Sequence, residues 1–123
     1  MSSHIPNNTK IKVYELHKNG ISIFEEFFKQ IENDGNLLSN IAVVVRIIED
    51  TANLNRRPQN KFRVLKGLSV NCKVFEAKSG VIRVYLFHEE KTGRIIVMGG
   101  VKDNQSADIK KVEKIIKEYN NEK

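Results

Sequence analysis

Apolar and polar residues alternate at the start of the chain and then change period, and each change predicts an element. The stretch "KIKVYELH" sets Ile11, Val13 and Glu15 against Lys12, Tyr14 and Leu16, the period-two pattern of a strand. Asn19-Gly20 then turn the chain. Ser22 followed by Glu25 matches a capping box, in which hydroxyl and carboxylate each satisfy a free backbone N–H at a helix start. Phe24, Phe27, Phe28 and Ile31 follow at helical spacing, so a first helix is predicted from about Ser22 to Asn33 with its aromatic stripe in the core. "NDGN" ends it. The next segment, "LLSNIAVVVRIIEDTANL", holds β-branched residues that favour strands. Its length, and the placement of Leu37, Leu38, Ile41, Val44, Val45, Ile48 and Ala52, predict instead a second helix antiparallel to the first.

A polar connector, "NRRPQNKF", follows, and Pro58 excludes a regular helix there. Three β-rich runs come next: "LSVNCKVFEAKSG", "VIRVYLFHEE" and "GRIIVMGGVK". The short turns between them imply antiparallel neighbours. The last segment, "SADIKKVEKIIKEYNNEK", is a helix capped by Ser106 or Asp108, with Ile109, Val112, Ile115, Ile116 and Tyr119 in one stripe. The expected order is β-α-α-β-β-β-α. This is an α+β domain with a small, mainly antiparallel sheet, an N-terminal helical hairpin and a C-terminal helix, the helices packed on one face. One domain covers residues 1–123, with 1–9 as a flexible tail and 120–123 as a frayed end.

Composition narrows the class. A chain of 123 residues with 29% charged and 40% hydrophobic residues is ordinary for one soluble domain. The apolar run "IAVVVRII" carries Arg46 and stops at Glu49, too short to span a bilayer. The start, "MSSHIPNNTK", has no secretory pattern. Cys72 is the single cysteine and can form no internal disulfide, which fits a reducing cytoplasm. Neither Cys72 nor the scattered His4, His17 and His88 have zinc-ligand spacing, and Gly99-Gly100 are not followed by the Lys-Ser/Thr of a phosphate-binding loop. No metal or small-molecule cofactor is expected. Cys72 reads as a small buried residue inside a strand, and His88 as an exposed turn residue.

Charge says more. The net charge is +6, and the segment from Asn55 to Lys78 carries all of it: Arg56, Arg57, Lys61, Arg63, Lys66, Lys73 and Lys78 against the lone acid Glu76. Concentrated positive charge points to an anionic partner such as nucleic acid, an acidic protein segment or a membrane surface; the plainer reading is a solvated basic loop. Arg83 sits mid-strand. Alternation puts Ile82, Val84 and Leu86 on the core face and Arg83 on an open face beside Tyr85. There it either pairs with Glu76 or Glu90 or meets a ligand. A face mixing Arg83, Lys73, Phe75 and Tyr85 has the chemistry of an RNA platform, because guanidinium forks phosphate and rings stack on bases.

From about Lys61 to Glu118 the chain resembles the RelE/ParE toxin superfamily, and especially its HigB-like, phage-derived branch. "KFRVLKGLSVNCKVFEAKSG" is similar to the family's Lys-x-Leu-x-Gly-Leu motif and its aromatic-Glu-x-basic strand, through Lys66, Gly67, Leu68, Phe75, Glu76 and Lys78. "VIRVYLF" is similar to its Tyr-Arg-x-x-Tyr strand, through Ile82, Arg83 and Leu86 or Tyr85, and "IIVMGGVKDNQSADIKKVEKI" to its last strand and helix. The resemblance implies the toxin of a toxin–antitoxin pair, a metal-independent endoribonuclease that cuts messenger RNA on the ribosome. Arg83 would hold the scissile phosphate, with Lys66, Lys78, Lys102 and Tyr85 as the remaining catalytic groups and Arg56, Arg57, Lys61, Arg63, Lys73 and Phe75 as RNA contacts. The expected partners are a cognate antitoxin, the ribosome and messenger RNA, with no membrane. The chain departs from that branch at Met98, where many members carry histidine, and at Asp103, where they carry a second lysine. A non-catalytic module of the same fold, such as a ParE-like gyrase inhibitor or a regulatory homologue, is the alternative.

Overall fold

Ser22 opens the first helix, α1 (Ile23–Ile31), as its spacing to Glu25 predicts: the hydroxyl accepts the Glu25 N–H at 3.1 Å. The second helix, α2 (Gly35–Ala52), is capped by Asp34, whose carboxylate accepts from Asn36 N at 3.0 Å and Leu37 N at 3.1 Å. Its β-branched residues are tolerated because Ile41, Val44, Ile47 and Ile48 lie in the core, where packing outweighs their weak helix propensity. The computed structural model describes residues 5–121. Before α1 come β1 (Val13–Glu15), β2 (His17–Lys18) and β3 (Ile21–Ser22). After α2 come β4 (Phe62–Leu65), β5 (Val74–Ser79), β6 (Ile82–Glu89), β7 (Gly93–Val101), a 3-10 turn (Lys102–Asn104) and α3 (Gln105–Asn121).

The main sheet runs β1-β7-β6-β5-β4, antiparallel except where β1 lies parallel to β7; β2 and β3 form a separate hairpin around Asn19-Gly20. The α+β class and mainly antiparallel sheet therefore stand as expected, but the element order is longer. The hairpin and β4 are additions, and β4 begins at the last residue of the segment read as a connector and runs into residues 63–65, which carry no predicted element. The first of the three β-rich runs begins as a strand only at Val74, so Cys72 lies in a bend outside it, half-buried against the α3 core. His88 is half-buried within β6 and not in a turn.

The larger correction concerns the layers. Helices cover both faces of the sheet. Phe24, Phe27 and Ile31 of α1 and Ile41, Val44 and Ile48 of α2 pack against Ala77, Ile82, Val84, Leu86 and Ile96. Val112 and Ile116 of α3 pack on the other face against Val74, Tyr85, Phe87, Ile95 and Met98. Tyr85 is 0% exposed and Arg83 7%, so neither stands on an open face. The helix α3 also begins one residue before the expected cap, straight from the 3-10 turn, which leaves Ser106 and Asp108 inside its first turn.

At Gly99 and Gly100 both helical layers press on β7. A Cβ on Gly99 would overlap the Phe27 ring from α1, and one on Gly100 would overlap the Asp108 carboxylate from α3. Of the expected tail, residues 1–4 lie outside the described residues; Ile5 packs against the core, Pro6 is buried, and Asn7 and Asn8 are exposed. At the other end α3 stays helical through Asn121, and the rest of the expected frayed end lies outside the described residues. Among the described residues, no helix is long and apolar enough to cross a membrane.

Candidate anion site beneath the last helix

Cross-strand register assembles the polar groups on the α3 face. Arg63 of β4 stands opposite Glu76 of β5, which stands opposite Tyr85 of β6; Lys78 stands opposite Arg83, which stands opposite Gly100 of β7. Residues directly opposite share a face, with Cβ atoms roughly 5 Å apart. The structure thus places Lys78 and Arg83 side by side. Lys61 adjoins them, since Lys78 N donates to its carbonyl at 2.9 Å, and Lys102 is tied to the start of β6 by its own N–H to Val81 O at 2.8 Å. Lys102 is exposed and Lys61 and Lys78 are half-buried. The first turn of α3 lies beside this row, with Gln105 on Glu76 and Asp108 against Gly100.

Beneath the first turn of α3 lies a buried polar layer. Glu76 is 0% exposed, and its carboxylate accepts from Arg63 Nε at 2.9 Å and from Gln105 Nε2. Arg83 therefore forms no ion pair with Glu76. Its Nη1 donates instead to the carbonyls of Gly80 at 2.8 Å and Ile82 at 3.0 Å. Two buried polar atoms in this layer have no hydrogen-bond partner among the described residues, Arg83 Nε and Tyr85 Oη. Burial drives the Tyr85 phenol well above its ordinary pKa, helped by the charges of Glu76 and Asp108 and opposed by Arg83 and Arg63. Tyr85 is a neutral O–H in the fold, able to donate a hydrogen bond but not to act as a base. Burial also raises the Asp108 carboxyl, with Lys111 acting against it.

The other expected site residues are dispersed. Lys66 and Lys73 are exposed at the far end of β4 and β5, roughly 16 Å along the strands from the Lys61–Lys78 pair. Arg56 is exposed on the connector, and Arg57 pins that connector to α2 through Asp50 Oδ2 at 3.1 Å. Phe75 is a correction. It is buried on the opposite face, stacked on Phe62 with centroids 5.0 Å apart, and cannot stack on a base. Arg94 lies over both rings and donates to Thr51 Oγ1 at 2.8 Å, with its pKa lowered by burial.

Sequence reasoning passed over Gln105 and read Asp108 only as a possible cap. The one available signal was Glu76, a lone acid in a basic run, but its partner Arg63 follows only from the β4–β5 pairing. Among the described residues no group of three or more His, Cys, Asp and Glu is placed to hold a metal ion, and His4 lies outside them. Cys72, Lys73, His88 and Glu89 line an open groove of about 920 Å³ at the opposite end of the sheet from Arg83. No family model matches the chain, and comparison with curated proteins and with solved structures gave no match.

Proposed function

We propose that this chain is a toxin of the RelE/ParE superfamily, in its HigB-like branch, which binds messenger RNA on the ribosome in the cytoplasm, cleaves it without a metal, and is silenced by a cognate antitoxin. The observation that carries this reading is the placement of Lys78, Arg83 and Lys102 at one end of the sheet, beside the first turn of α3. Like charges directly opposite one another destabilise a sheet. A bound phosphodiester offsets that repulsion, and guanidinium and ammonium groups are its natural donors. In this reading Arg83 and Lys78 hold the scissile phosphate and Lys102 neutralises charge that builds up during 2′-OH attack, the kind of electrostatic stabilisation that dominates such catalysis. Tyr85 is fully buried beneath the row and supports it without touching the phosphate. Lys66 stands too far along β4 to join them and serves RNA binding with Lys73 and Arg56.

A specific observation favours the second reading, a non-catalytic module of the same fold. Arg83 and Tyr85 are sealed under α3, and Met98, where the resemblance expects histidine, is 8% exposed and packed in the α3 core. Induced expression separates the two. The parent chain should arrest growth, and the double variant Lys78→Ala/Lys102→Ala, at accessible positions, should fold and not arrest it. Arrest accompanied by DNA damage and intact transcripts supports a gyrase-directed module. Equal arrest by parent and double variant removes the phosphate role of this row.

A further inference from the structure

We propose that Asp103 is the general base of the cleavage, the group that takes the proton from the attacking 2′-OH. The inference rests on the reading of Lys78, Arg83 and Lys102 as a phosphate site, and it supplies what those cations lack. Cleavage by 2′-OH attack calls for a proton acceptor beside the scissile phosphate, and ammonium and guanidinium groups have no acceptor site. Asp103 follows Lys102 in the 3-10 turn that joins β7 to α3, three residues after Gly100, which stands opposite Arg83. Its side chain is exposed. Among the described residues its carboxylate makes no hydrogen bond or ion pair, not even with neighbouring Lys102. The turn that carries it is fastened at both ends. Lys102 N donates to Val81 O at 2.8 Å, and Gln105, the first residue of α3, donates to Glu76.

The other candidates at this end of the sheet are closed off. Glu76 is buried and holds Arg63 and Gln105, Asp108 is buried against Gly100, and Tyr85 is a buried, neutral phenol. Asp34 is engaged as the cap of α2. His88 and Glu89 lie at the opposite end of β6 from Arg83, roughly 17 Å or more along the strand, and His17 sits in the β2–β3 hairpin. Among the described residues, Asp103 is therefore the accessible carboxylate of the row. With no chemical task, an acid beside these cations would only weaken their hold on phosphate. In the step, an Asp103 oxygen takes the 2′-OH proton, O2′ bonds to phosphorus, and the bond from phosphorus to O5′ breaks. The leaving O5′ takes a proton from water at this exposed row, and Asp103 returns its own to solvent. The products are a 2′,3′-cyclic phosphate and a 5′-OH end. The plain alternative, an acid set before α3 to suit its dipole, predicts a change in stability alone.

Cleavage by the full chain on purified ribosomes carrying a short labelled message, followed from about pH 6 to 9, tests this. Asp103→Asn should cleave about a hundredfold more slowly or worse, the lower end of what a positioned proton-transfer group contributes. It should bind an oligouridylate, read by anisotropy, no more weakly than the parent, because a negative charge leaves the row. Asp103→His should recover part of the rate with a new acid limb, falling about tenfold per pH unit below the ordinary imidazole value near 6.5. The position is exposed, so both variants should keep the circular dichroism of the parent. If Asp103→Asn alters the fold, the pH profile of the histidine variant carries the test. Equal rates for the parent and Asp103→Asn, or a histidine variant without that limb, overturn the assignment and leave the phosphate row in place. A parent that cleaves no message on ribosomes overturns the toxin reading and this assignment with it.

Discussion

Glu76 governs the energetics around it because its carboxylate is fully buried and kept there by Arg63 on one oxygen and Gln105 on the other. Removing one partner leaves a buried charge uncompensated, which in dry interiors costs several kcal/mol. The Arg63 side chain is 42% exposed, which tempers that figure. Arg63→Met should therefore destabilise the fold by about 2 kcal/mol in denaturant melts. Asp108 has the opposite sign. Burial raises its folded-state pKa, so ionising it opposes folding, and this penalty grows as pH rises from the ordinary carboxylate range near pH 4 through the raised value. Asp108→Asn should be more stable than the parent at neutral pH, with the difference fading as pH falls to about 4 in paired unfolding curves. A constant difference across that range would mean that ionisation of Asp108 carries no stability.

At the scale of elements, β7 is clamped between α1 and α3 at Gly99-Gly100. Gly99→Ala drives a methyl into the Phe27 ring and Gly100→Ala into Asp108, each an overpacking change expected to cost about 1–3 kcal/mol. Thermal melts of the two variants check this, and Phe27→Leu should recover part of the loss in Gly99→Ala but none in Gly100→Ala. The loop after β4 is fastened to α3 as well. Glu113 accepts from Ser69 N and, at 3.0 Å, from Ser69 Oγ, bonds that hold its carboxyl below the ordinary range. That tie adds stability above the ordinary carboxylate range and loses it as pH falls through the lowered value.

Elements also show what the residues made legible. The helices follow from period and caps, local signals that Ser22 and the Phe24–Ile31 stripe carry within one or two turns; the Asp34 cap of α2 sits in "NDGN", read only as the end of α1. Alternation likewise assigned Ile82, Val84 and Leu86 to the core. It placed Arg83 and Tyr85 in solvent because the docking of α3 on the second face is set by contacts distant in sequence. The uninterrupted run Ile95, Ile96, Val97, Met98 was the available sign that the sheet is covered on both sides. Strand β4 stayed hidden between the connector and the first β-rich run since Phe62–Leu65 is short, flanked by charge, and defined by its pairing with β5. Of the candidate site, Lys78, Arg83 and Lys102 do meet, whereas Lys66 is displaced along the strand and Phe75 faces the opposite core.

For the whole molecule, the decisive property is where the +6 falls: one stretch of chain folds into the connector and the β4–β5 edge of the sheet. Binding of an anionic polymer there should weaken with added salt, because each phosphate neutralised releases condensed counterions. Removing Lys78 and Lys102 should lower the slope of log affinity against log salt by about 1.4 for a single-stranded RNA, measured by anisotropy titrations at several salt concentrations. An unchanged slope would take those two lysines out of the RNA contact. The most direct test of the toxin reading is to induce the chain in bacteria and map the 5′ ends of messenger RNA. The account predicts new ends within translated frames, in phase with codons, which vanish in the Lys78→Ala/Lys102→Ala variant. Intact transcripts in cells making the folded parent chain would contradict it.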